Sequence, residues 1–76
     1  MITVKLYGLL RIESGIKEKQ LDAATAAEVL NTLADYGIRK KDLDSCMILI
    51  NGKTGKKRSK LADGDTVVLM SPVAGG

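Results

Sequence analysis

Histidine is absent from this 76-residue chain, and so are tryptophan and phenylalanine. There is one cysteine, one proline and two tyrosines. Each shortage closes a class of function. One cysteine without histidine leaves no disulfide framework and no Cys/His zinc site within one chain. Nucleophilic triads that use histidine as base are excluded too. With so few aromatics, the core must come from Ile, Leu, Val, Met and Ala. Little is left on which nucleic-acid bases could stack. No apolar run reaches transmembrane length, and Met1 leads into a strand pattern without a signal-peptide core. A cytoplasmic location and no membrane partner are the default expectations.

What is present is globular in character, with 45% hydrophobic and 28% charged residues. The length suits one domain near the lower limit for folding on a hydrophobic core alone. A net charge of +3 suits solubility or an acidic partner.

Residues 1–10 alternate, with Ile2, Val4 and Leu6 on one side and Thr3, Lys5 and Tyr7 on the other, which predicts a half-buried strand. Glu13-Ser14-Gly15 reads as a turn, and residues 16–21 as a second strand closing an N-terminal hairpin. Thr25-Ala26-Ala27-Glu28 has capping-box spacing and opens a helix. Its apolar stripe is Val29, Leu30, Leu33 and Ala34, and Gly37 sits where a left-handed residue would end it. Residues 40–44 suggest one short helical turn. Met47, Ile48, Leu49 and Ile50 form a continuous apolar run, expected as a central strand. Asn51-Gly52 and Thr54-Gly55 signal turns, and residues 57–61 suggest a short basic strand. Asp63-Gly64-Asp65 is a turn lacking the further ligands of a calcium loop, so no metal site is expected. Residues 66–70 form the last strand. The order β-β-α-β-β-β predicts an α+β fold, a mixed sheet packed on one main helix, with the last strand beside the first.

If Ile2, Val4, Leu6, Val67 and Leu69 face the helix, then Tyr7, Val68 and Met70 share the uncovered face. An apolar group there suggests a partner-docking surface, although singly exposed hydrophobes are common. The basic run Lys53, Lys56, Lys57, Arg58 and Lys60 reads as a solvated segment that discourages edge pairing, and no nucleic-acid partner is expected. Cys46 reads as a small buried hydrophobe.

The end of the chain is the strongest signal. After the last strand come Ser71, Pro72, Val73, Ala74, Gly75 and Gly76. Pro72 cannot donate to a ladder, so pairing should end near it. A terminal Gly-Gly is slim enough for a channel that admits no side chain. By chance it would occur in roughly 0.5% of chains, since glycine is about 7% of residues. Five extended residues reach roughly 16 Å, enough to carry the Gly76 carboxylate into another protein's active site. No arrangement of side chains supplies a base and a nucleophile together. What remains reactive is that carboxylate. Attack on ATP would make it an acyl-adenylate, open to a sulfur nucleophile or an amine. The activating groups must belong to a partner.

These features resemble the ubiquitin-like sulfur carriers of β-grasp fold, most closely the small subunit of molybdopterin synthase. The resemblance runs along nearly the whole chain, through residues 4–11, the helix start at Thr25, and Ile50-Asn51-Gly52. Its most specific part is Asp63-Gly64-Asp65-Thr66-Val67 leading into the tail, where the family commonly has Pro-Pro-Val-x-Gly-Gly. Here Ser71 replaces the first proline, and Leu69-Met70 stand where aromatics are frequent. The resemblance implies a β-grasp domain over residues 1–70 and a flexible tail over 71–76. It implies a non-catalytic carrier with no cofactor, adenylated at Gly76 by an ATP-dependent activating enzyme and then loaded with sulfur as a thiocarboxylate. Pro72, Val73, Ala74 and Gly75 would insert the tail into the large synthase subunit. Tyr7, Val68 and Met70 would dock on it, a monomer becoming a heterotetramer. The alternatives are a thiamine-thiazole sulfur carrier, a protein modifier conjugated through Gly76, or an interaction domain with an inert tail.

Overall fold

A computed structural model of the protein describes residues 1–71. The proposed insertion residues Pro72, Val73, Ala74 and Gly75, and the reactive Gly76, lie outside the described residues.

Strand β1 (Ile2–Tyr7) buries Ile2, Val4 and Leu6, as its alternation predicts. It stops sooner than that alternation suggests. Gly8 takes φ 67, and the chain turns into a short helix α1 (Leu9–Ser14) instead of running extended to residue 10. Leu10 drives this turn by entering the core completely. The Glu13-Ser14-Gly15 cluster is therefore the end of a helix and not a hairpin turn. Gly15 is left-handed at φ 73, and its N–H donates to the Arg11 carbonyl at 2.8 Å. Strand β2 (Glu18–Leu21) then pairs antiparallel with β1.

The main helix α2 (Ala26–Ala34) starts at the predicted cap. Glu28 N–H donates to Thr25 Oγ1 at 3.3 Å. The Glu28 carboxylate reaches back one residue further than in the usual box, accepting from Ala24 N–H at 3.2 Å. Ala26, Val29, Leu30 and Leu33 are buried, whereas Ala34 is exposed. Gly37 is left-handed as expected, at φ 91. A short helix α3 (Lys40–Ser45) follows, docked by buried Leu43.

Strand β3 (Met47–Ile50) and strand β4 (Lys53–Thr54) form a hairpin around Asn51 and Gly52, both at positive φ. That is the two-residue turn whose twist matches paired strands. The fourth strand is thus Lys53–Thr54, and the basic strand expected over 57–61 is not formed. The reason lies at the start of α2. Its first amides need acceptors, and the basic segment's backbone provides them: Ala26 N–H donates to Ser59 O at 3.0 Å and Ala27 N–H to Lys57 O at 2.7 Å. Only Lys60 makes an isolated bridge, to Thr25.

Strand β5 (Thr66–Met70) closes the sheet in the order β2-β1-β5-β3-β4. It lies beside β1 in a mixed sheet, as the sequence predicts, parallel to β1 and antiparallel to β3. Strand β3 is interior, and β5 holds the middle. Val67 and Leu69 are fully buried beneath α2 with Val4, Leu6 and Val29.

Candidate functional site

The sheet face away from the core carries the candidate docking residues. The register sets them in rows. Tyr7 pairs with Met70, and Met70 with Met47, giving one row across three strands. Lys5, Val68 and Leu49 form the next row, with Thr54 at its end. Tyr7 is 44% exposed and Met47 49%, while Val68, Met70 and Leu49 are half-buried. The structure therefore brings together all three predicted docking residues. It adds Met47 and Leu49, which a continuous apolar run conceals because such a run does not say which side chains alternate outward.

The Tyr7–Met70–Met47 row lies at the end of the sheet from which β5 runs on to Ser71. There Leu9 N–H donates to Ser71 Oγ at 2.9 Å. Leu9 and Ile12 of α1 are also exposed close by in the chain. The apolar surface thus reaches the root of the tail.

At the opposite end of β5, two widely separated motifs meet. Asn51 Nδ2 donates to Asp65 Oδ1 at 3.0 Å, and Thr66 N–H donates to Asn51 Oδ1 at 3.0 Å. Ala62 N–H donates to Asp65 Oδ2 at 2.8 Å, and this bond, with that from Asn51, holds the Asp65 carboxyl below the usual carboxylate range. The Asp63-Gly64-Asp65 turn also accepts the N-terminus. The Met1 ammonium pairs with Asp63, and Gly64 N–H donates to Met1 O at 2.9 Å. These carboxylates fix strand ends. Among the described residues, no group of His, Cys, Asp and Glu side chains is arranged to hold a metal ion.

The basic run is exposed, and its backbone caps α2. Lys57 Nζ pairs with Asp44 Oδ1 at 2.8 Å, lowering the Asp44 pKa. Cys46 is half-buried, its thiol donating to Leu43 O at 3.1 Å. Burial raises its pKa, which leaves it protonated and a weak nucleophile.

A five-stranded mixed sheet grasping one principal helix, with the first and last strands parallel in its centre, defines a β-grasp domain of the ubiquitin-like class. The family model described as the ThiS family matches residues 4–76. The chain belongs to that family, and so to the ubiquitin-like sulfur carriers and modifiers. No curated protein sequence matches it. Among solved structures, the small archaeal modifier protein 1 from Methanosarcina acetivorans is similar, at 29% identity and TM-score 0.79, over 99% of this chain and 95% of that one. A chain in the complex of subunits 1 and 2 of the molybdopterin-converting factor from Helicobacter pylori is 25% identical, with TM-score 0.73, over 99% and 97%. The corresponding modifier protein from Haloferax volcanii shares the fold, with TM-score 0.83 at 24% identity over 99% and 98%. Among the described residues, no helix is long and apolar enough to cross a membrane.

Proposed function

We propose that this protein is the small subunit of molybdopterin synthase, carrying sulfur as a thiocarboxylate on Gly76 for molybdenum cofactor biosynthesis. The observation that carries the reading is the family match, which continues through Gly76. The apolar row Tyr7–Met70–Met47 supports it, because a docking face at the root of the tail would hold a partner where the tail enters. The similar Helicobacter pylori chain comes from a complex with a second subunit.

The chemistry follows from the carboxylate. An ATP-dependent activating enzyme binds the domain and takes the tail into its nucleotide site. A Gly76 carboxylate oxygen attacks the ATP α-phosphorus, and pyrophosphate leaves. Hydrosulfide, or a persulfide whose S–S bond a thiol then reduces, attacks the carbonyl carbon, and AMP leaves with the bonding electrons to give the thiocarboxylate. The thiocarboxylate passes into the large synthase subunit on Pro72, Val73, Ala74 and Gly75. The carrier supplies no acid or base of its own. It supplies reach, slimness and a docking face.

Deleting Gly76 tests this. The carboxylate then sits on Gly75, retracted by ~3.5 Å. In-line attack needs reacting atoms about 3–3.5 Å apart, so adenylation should be lost. ATP–pyrophosphate exchange with the cognate activating enzyme should fall to background, while the variant still competes with the intact chain for that enzyme. Full exchange by the shortened protein would defeat the proposal.

A second reading, conjugation to lysines, is favoured by the likeness to a small archaeal modifier protein at 29% identity. Intact mass of protein from its native cells separates the two. A carrier gains roughly 16 Da as sulfur replaces oxygen, whereas a modifier gives a ladder of heavier adducts.

A further inference from the structure

Strands β1 and β5 leave the sheet side by side. Tyr7 and Met70 are their last paired residues, so Gly8 and Ser71 come next. Gly8 turns β1 into α1 at φ 67 and ψ −141, a conformation that residues with a Cβ rarely adopt. Leu9 N–H at the start of α1 needs an acceptor, and Gly8 has no side chain to offer. The acceptor comes from 62 residues away, as Ser71 Oγ at 2.9 Å. A Cβ on Gly8 would overlap that same oxygen. The glycine leaves the space, and the serine hydroxyl occupies it.

We propose that Ser71 is a positioning residue for the C-terminal segment. Its hydroxyl, anchored on the Leu9 amide, sets the point and direction at which the chain leaves the sheet beside Tyr7 and Met70. A proline at this position, as in the family pattern, would restrict φ but offer no such acceptor. The functional consequence rests on the carrier reading, although the geometry does not. Anchoring Ser71 fixes the exit point before a partner is met, so less conformational freedom is lost at Ser71 itself on binding.

The test uses the full chain with Ser71→Ala and Ser71→Thr. Amide hydrogen exchange at Leu9 reports the anchor, and ATP–pyrophosphate exchange against carrier concentration reports its consequence. Ser71→Ala should speed Leu9 exchange and raise the KM for the carrier by roughly three- to tenfold, the size of one hydrogen bond's net contribution. The kcat at saturation should stay unchanged, because the bound tail reaches the same site. Ser71→Thr keeps the hydroxyl and should restore both values. Unchanged Leu9 exchange in Ser71→Ala overturns the anchor. Faster Leu9 exchange with an unchanged KM overturns the positioning role. If the unaltered chain supports no exchange with its activating enzyme, the carrier reading fails separately. The NMR order parameter of the Ser71 amide then decides: a fall in Ser71→Ala supports the anchor, and constancy overturns it.

Discussion

Asp65 illustrates how one carboxylate can tie two neighbouring strands, β3 and β5, together at one end of a sheet. It receives the Ala62 amide and the Asn51 side chain, and both bonds favour its ionised form. Its folded pKa is therefore lower than its unfolded value of ~3.9. The stability it contributes is present above that value and is lost as pH falls through the folded one. Asp65→Ala should lower the urea midpoint at neutral pH. The gap between variant and parent should narrow below about pH 4, which a denaturation series across acid pH would show; a pH-independent gap would contradict this assignment. Thr25 has a simpler role. It accepts from one otherwise orphaned amide at the start of α2, and Thr25→Ala should cost about 1 kcal/mol. Chemical denaturation measures that loss, and carrier activity at saturating partner should not change.

At the scale of elements, the docking face gives the clearest expectation. Tyr7→Asp or Met70→Asp should weaken binding to the large subunit proposed as its partner by more than ~1.4 kcal/mol, a tenfold loss visible by calorimetry. Both side chains project from the uncovered face, so the isolated domain should keep its unfolding transition. Loss of folding instead would mean that the face packs against something within the domain. Much of this layer was legible in the sequence. Alternation assigned Ile2, Val4 and Leu6 inward, and parity carried Val67 and Leu69 with them. Two elements were not legible, each for a physical reason. Leu10 has the parity of a strand residue, so nothing in the alternation separates a strand continuing through Gly8 from a helix that buries the same side chain. In the basic segment, the Lys57 and Ser59 carbonyls serve the orphan amides of α2, a demand that arises only after the helix docks. The Asn51-Gly52 signal did contain the fourth strand, since such a turn obliges pairing to resume at Lys53. On the candidate site, Tyr7, Val68 and Met70 could be placed by parity, and Met47 and Leu49 could not. The Ser71 anchor has no local signature at all, because its partner is 62 residues away.

For the whole molecule, a 76-residue domain should have a stability of roughly 4–11 kcal/mol at ~0.05–0.15 kcal/mol per residue. Leu69 is fully buried in the middle strand. Leu69→Ala should cost about 2–5 kcal/mol, a large share of that total, and thermal unfolding should show the variant close to its folding threshold. A loss below about 1 kcal/mol would mean that the core collapses around the gap far more readily than other cores do.

The placement of β5 also bears on biosynthesis. It is the middle strand of the sheet and the last to be synthesised. A chain cut short before Thr66 can form at most two strand pairs, β1 with β2 and β3 with β4, and has no strand to join them. Two-stranded pairs are marginal in water by themselves. The sheet is therefore complete only once β5 is present, and a chain truncated before Thr66 should show no cooperative unfolding transition.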